Sequence, residues 1–296
     1  MKVLKFGGSS VANAENIQKV AAIVQQPFYK GTIVVVSALG GVTDLLIKTG
    51  ETAADGYDDY KELLLQLESR HLDTVKQLLP VTDQSSCLSA VKQHFNELED
   101  ICEGVFRLGE LSARTKDRIV SFGELLSSKI IHFYLKAVGY KAGWIDSREV
   151  IKTNSHFGFA AVDFAETTEA INQFVNNNLA YDVLIAPGFI ASDKHQHTTT
   201  LGRGGSDYSA AIYAAAIDAT VVEIWTDVTG MMTADPRWVA NARTIPHTSY
   251  REAMELSHFG AKVIYPPTIQ PAMVRNIPIW VKNTFEPNAA GTLIEK

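Results

Sequence analysis

MKVLKFGGSSVANAENIQKVAAIVQQ, residues 1–26, sets out a complete strand, turn and helix. Residues 3–6 form a short β-prone run that Gly7 and Gly8 break. Asn13 stands where its side-chain oxygen can accept a backbone N–H that has no partner within the helix. Beyond it Ile17, Val20, Ala21 and Val24 recur at helical spacing and share one face. A strand feeding a helix through a glycine turn is the start of an α/β fold.

The alternation continues along the chain. Strand-like runs recur at residues 32–37, 140–145, 182–187, 220–226 and 278–282, and several are continuously apolar, as parallel strands covered on both faces are. Helical patterns lie at 42–54, 58–79, 84–108, 115–137, 163–177 and 206–217. Residues 58–108 are charged on one side and apolar on the other, with no grouping that suggests chemistry, and read as scaffold or interface. No Pro-, Gly- or Ser-rich linker divides the chain, and no repeat is visible. The expectation is a three-layer α/β/α sandwich with a mostly parallel central sheet, in one unit or two lobes.

With 296 residues, 46% hydrophobic and 20% charged, the chain can bury a substantial core. A net charge of -6 and the lack of any basic run speak against a nucleic-acid surface. Cys87 and Cys102 fall in an amphipathic helical segment and read as buried thiols of a reducing compartment. No apolar stretch approaches the roughly 20 residues that cross a bilayer, and none has signal-peptide length at the N-terminus. A soluble cytoplasmic protein is expected.

Ligands of open α/β sheets bind outside the carboxyl ends of strands. Lys5-Phe6-Gly7-Gly8-Ser9-Ser10 follows the first strand; glycines let backbone N–H groups converge on an anion, and Lys5 supplies a full charge. Neither a Walker A loop nor G-x-G-x-x-G is present, and a plain strand-to-helix turn with a solvated lysine is the competing reading. A second glycine turn, Ser37 to Asp44, opens another helix, with Thr43 either a ligand group or a helix cap. After a polar strand expected at residues 198–200, Leu201-Gly202-Arg203-Gly204-Gly205-Ser206-Asp207 places Arg203, which can pair bidentately with carboxylate or phosphate, before an alanine-rich helix. Asp207 there is a reacting-site group or a helix N-terminal charge. Trp225-Thr226-Asp227-Val228-Thr229-Gly230 suits a nucleotide's base and ribose, with Asp235-Pro236-Arg237 beyond it as a possible turn. Lys262 either reaches phosphates or extends to solvent. His195 and His197 alternate like a metal pair but lack a third ligand in sequence, and read as loop histidines. Glu124 sits within a helical pattern and draws notice for its charge.

Taken together, KFGGSS, SFGE, LGRGGSDYSA, EIWTDVTGMMTADPR and FGAKVIYPPT resemble the aspartokinases of the amino acid kinase superfamily, in order and over the whole chain. MELSHFGAK and WTDV are most similar to the kinase region of bifunctional aspartokinase–homoserine dehydrogenases. The resemblance implies phosphorylation of the β-carboxylate of L-aspartate by ATP with Mg²⁺, the first step toward lysine, threonine, methionine and isoleucine. It implies catalytic roles for Lys5 and Asp207, and substrate binding by Ser37, Thr43, Glu124, Arg203 and Ser206. Gly7, Gly8, Gly204, Thr226, Asp227, Met232, Arg237, Lys262 and Val263 would hold the nucleotide, with no protein metal site.

The resemblance further implies an aspartate-binding lobe over about residues 1–200 and a nucleotide-binding lobe over 201–296. Met232 stands where tyrosine is common, Tyr265 where histidine is common and Ser9 where threonine is common. Regulatory ACT and dehydrogenase domains are absent from these 296 residues, so the expectation is a catalytic core, read as a fragment of a longer bifunctional enzyme and insensitive to lysine or threonine; a homo-oligomer is a separate reading. Alternatives are a kinase of glutamate, acetylglutamate or a nucleoside monophosphate, and a non-catalytic amino-acid-binding module.

Overall fold

The computed structural model describes residues 1–235, 238–258, 264–265 and 269–296. The opening unit forms as its sequence predicts: β1 (Val3–Phe6), a turn, and α1 (Ala14–Val24). Asn13 caps α1, its Oδ1 accepting from the Asn16 amide at 2.9 Å. Ile17 and Val24 are fully buried, each contributing roughly 1.5–3 kcal/mol by leaving water.

Next along the chain come β2 (Thr32–Val36), α2 (Val42–Ala54), α3 (Tyr60–Leu78), α4 (Gln84–Leu108) and α5 (Ala113–Ala137). Then follow β3 (Ala142–Trp144), α6 (Ser147–Val150), β4 (Lys152–Thr153), α7 (Phe164–Asn177), β5 (Val183–Pro187), β6 (Ile190–Asp193) and β7 (Thr198–Thr200). The last part holds α8 (Gly205–Ala216), β8 (Val222–Thr226), β9 (His247–Ser249), α9 (Tyr250–His258), α10 (Gln270–Val274), β10 (Ile279–Asn283) and β11 (Thr292–Glu295).

Among the described residues eight strands make one sheet in the order β3-β5-β2-β1-β8-β10-β11-β9. The six from β3 to β10 run parallel, and β11 turns back against β10. A smaller sheet, β4-β6-β7, lies beside it. Alternation along the strands divides the core in two. Leu4, Phe6, Val34 and Val36 join a cluster with α1 to α5, whereas Val3, Val35, Ala186 and Ile224 join one with α7, α8 and α10. Helices on both faces give the expected three layers. Four strands have no counterpart in the sequence reading: β4, β6, β9 and β11. They are two to four residues long and either wholly polar, as β4 and β9 are, or mixed, as β6 and β11 are, so they carry no periodic signal.

Order within the sheet locates the site. From β1 the chain crosses by α1, on one face, to β2 on one side, and β8 reaches the other side of β1 through α8 on the opposite face. β1 therefore flanks the point where strand order reverses, where ligands of such sheets bind.

Candidate active site

Lys5 is the third residue of β1, paired in register with Val35 and Ile224, so its backbone is fixed by both neighbouring strands. The residue is only 8% exposed, and Nζ lies 2.7 Å from Asp207 Oδ1. That is ion-pair distance, and because an ammonium carries three hydrogens, pairing with Asp207 leaves donors for another anion. Gly204 takes φ 69°, left-handed backbone that glycine adopts without strain, at the N-cap of α8. That turn starts the helix at Gly205 and sets Ser206 and Asp207 in its first turn, facing β1.

Lys5, Ser37, Thr43, Glu124, Ser206 and Asp207 line one cavity of about 260 Å³. The volume lies below the roughly 300–1,000 Å³ of drug-sized pockets and suits a small metabolite. Six residues separated by as many as 202 positions in the chain thus meet in one place, joined there by Gly202, Gly204, Gly205 and Phe189. Thr43 faces the cavity, while the N-cap of α2 is Gly41 and makes no side-chain capping bond. Ser127 and Glu124, a turn apart on α5, brace the second glycine turn: Ser127 Oγ donates to Ser37 O at 2.7 Å, and the Ala38 amide donates to Glu124 Oε1 at 3.1 Å.

Glu124 is 4% exposed, and its Oε2 has no hydrogen-bond partner. Burial pushes its carboxyl up to about 8, although the Ala38 amide and the charge of Lys5 pull the other way. A buried acceptor without a donor at a cavity wall fits a cationic group supplied by a ligand.

Several expectations need adjustment. The Gly7 amide donates to Trp225 O at 3.1 Å, extending the β1–β8 ladder, so it is engaged within the sheet. Ser10 turns inward, its Oγ bonding Trp225 O and Thr284 Oγ1. Arg203 is exposed and does not line the cavity; its guanidinium lies 5.8 Å from the Tyr265 ring centroid. Thr226 and Asp227 follow at the end of β8, joined by a 3.2 Å hydrogen bond from Thr226 Oγ1 to Asp227 Oδ1. Met232 is half-buried and bridges to Thr244. Arg237, Lys262 and Val263 lie outside the described residues.

Phe189 and Asp117 were missed. Phe189 follows β5 and has φ 67°, a conformation bulky residues rarely adopt. Its amide donates to Ser209 Oγ and its carbonyl accepts from the Leu201 amide, which hold the ring at the cavity. The strand-end rule, applied to Pro187-Gly188-Phe189, would have found it. Asp117, two turns before Glu124, accepts from Thr200 N, Thr200 Oγ1 and Gly158 N, fixing the entry to the Gly202–Gly204 turn. No local pattern marks it.

The amino acid kinase family model matches residues 1–283. The chain is 36% identical over 293 residues to a chloroplastic bifunctional aspartokinase/homoserine dehydrogenase 1 of Zea mays, covering 99% of this chain and 32% of that protein. It is 36% identical over 298 residues to lysine-sensitive aspartokinase 3 of Escherichia coli, covering 99% of this chain and 63% of that one. The crystal structure of E. coli aspartokinase III in complex with aspartate and ADP superposes with a TM-score of 0.91 at 34% identity, over 100% of this chain and 64% of that chain. The chain thus spans about a third of the length of the bifunctional relatives and under two thirds of the aspartokinase.

Proposed function

Because the chain belongs to the amino acid kinase family, we propose that it transfers the γ-phosphoryl group of ATP to the β-carboxylate of L-aspartate, giving 4-phospho-L-aspartate. The observation that carries the reading is the buried, unpartnered Glu124 Oε2 at the wall of the cavity that Lys5 and Asp207 share. An α-ammonium group answers that acceptor, and the carboxylates then fall to Ser37, Thr43, Ser206 and Arg203. Arg203 must leave Tyr265 to reach them.

A carboxylate is already ionised near pH 7, so the acceptor needs no general base. The barrier is electrostatic, since an anion must approach a polyanion. Lys5 neutralises the transferring group, and Asp207 orients the Lys5 ammonium rather than removing its charge. Thr226, Asp227 and Met232, at and beyond the end of β8, are assigned to the nucleotide, as are Gly8 and Gly204; Arg237, Lys262 and Val263 join them on resemblance alone. Among the described residues no three His, Cys, Asp or Glu side chains are grouped to hold a metal. A Mg²⁺ ion fits the site as part of the nucleotide, bound by phosphate oxygens and water. The division into an aspartate lobe and a nucleotide lobe near residue 200 belongs to the same proposal.

Trapping the acyl phosphate with hydroxylamine tests substrate and turnover together. Hydroxamate is expected with aspartate and ATP, and little with glutamate or acetylglutamate, whose acylated nitrogen offers Glu124 no ammonium. Faster turnover of either competitor, or bound aspartate and ATP without hydroxamate, overturns the proposal.

A further inference from the structure

The two glycine turns that carry the site are held against each other from outside. The turn after β1 carries Gly8 and Ala12, and the turn after β2 carries Ser37 and Gly40. They meet without room for side chains: a Cβ on Gly8 would lie 3.3 Å from Ala38 O, and one on Gly40 3.2 Å from Gly8 O. Past the strand ends, no backbone hydrogen bond joins the two turns among the described residues. The connection is a side chain from α3, in the helical segment that carries no chemistry of its own. Arg70 Nη2 donates to Ala12 O at 3.0 Å and to Gly40 O at 2.7 Å.

We infer that Arg70 is a positioning residue for phosphoryl transfer, a staple that fixes the separation of the turn carrying Gly8, just beyond Lys5 on β1, from the turn that runs from Ser37 to Gly41 and leads into Thr43 at the start of α2. Under the function proposed above, on which the kinetic part rests, the first turn faces the phosphoryl donor and the second the acceptor. Their spacing is then the distance between reacting groups, and small errors in that distance slow transfer steeply. Neither Ala12 nor Gly40 lines the cavity, so losing the staple is expected to leave both substrates bound but misplaced. A guanidinium suits the task, because one nitrogen carries two hydrogens and the planar group stays charged.

Two variants and two readouts test the inference. Arg70→Met keeps the apolar stem and removes the donors; Arg70→Lys restores donors on a shorter, flexible head. For Arg70→Met, kcat is expected to fall about tenfold or more with both KM values within twofold of the parent, and Arg70→Lys to recover part of the loss. Without substrates, hydrogen exchange of Arg70→Met is expected to quicken at residues 8–12 and 38–41 while the middle of α3 keeps its protection. Unchanged exchange in both turns, or loss of protection throughout α3, overturns the staple. Unchanged kcat, or a loss confined to KM, overturns its positioning role. If the parent chain makes no acyl phosphate, the function proposed above fails instead, and the exchange arm alone decides whether Arg70 staples the turns.

Discussion

Glu124 on α5 and His71 on α3 are both buried in the helical layer on the same face of the sheet, and each leaves a side-chain atom without a partner. Glu124 lies at a cavity wall beside the charge of Lys5. His71 lies among Leu67, Phe95 and the helices of the insertion, its Nδ1 bonded to Leu67 O at 2.7 Å and its Nε2 unmatched. Burial holds both neutral: it raises the carboxyl from 4.5 to about 8 and lowers the imidazole from 6.5 to about 4. The same physical penalty therefore falls on a cavity wall in one place and on a packed core in the other. What separates them is space for a ligand.

The largest effect concerns the charge that defines the cavity. Lys5→Ala is expected to lower kcat a hundredfold or more, on the order of 3 kcal/mol, as loss of a preorganised charge-stabilising donor does. Steady-state turnover near the parent rate would break the identification of this cavity as the reacting site.

Glu124→Gln should raise KM for aspartate roughly two- to thirtyfold, since a charge-assisted bond of about 1.5–3 kcal/mol becomes a neutral one of about 1 kcal/mol. Because the carboxyl is held protonated at pH 7, binding an ammonium there ionises it. Calorimetry in buffers of different ionisation enthalpy should detect a proton released with aspartate, and none in Glu124→Gln.

Stability against pH separates the two groups by sign. Glu124 has a folded value above its unfolded one, so its contribution is full below about pH 4.5 and is lost as pH rises through 8. His71 has a folded value below its unfolded one, so stability is lost as pH falls from 6.5 toward 4, and His132, also pushed down to about 4 by burial, adds to that loss. Between pH 4.5 and 6.5 the two trends oppose each other. His71→Leu should remove about 1.4 kcal/mol of the acid loss at pH 5.5, read by denaturant unfolding, with KM for aspartate unchanged. A changed KM would put His71 in the site after all.

The smallest effect is a reference on the opposite face of the sheet. Asp163 caps α7, accepting from the Ala165 and Glu166 amides at 3.0 Å. Asp163→Ala should lower stability by about 1 kcal/mol at neutral pH without moving kcat or KM.

Local regularity explains what could be read in advance. The bounds of β1, α2 and α4 follow from β-prone residues, helical spacing and the glycines just beyond each segment. Lys5, Arg203, Ser206 and Asp207 were visible because glycines beside polar residues at a strand end are an uncommon local arrangement. Arg70 was not, since a lone arginine on a helix looks the same whether it meets water or two carbonyls 30 and 58 residues away. Glu124 showed as a charge, but its burial and its missing partner come from helices contributed by distant segments.

By itself the sequence determined the alternating elements, the three layers and the residue types at the strand ends, because these depend on periodicity and turn chemistry over a few residues. Only the tertiary structure decided which strand ends share a cavity, that Arg203 rests over Tyr265 instead of inside it, and that Glu124 is held neutral. Those outcomes depend on strand order and on the loss of water around particular atoms, and neither is encoded in any one segment.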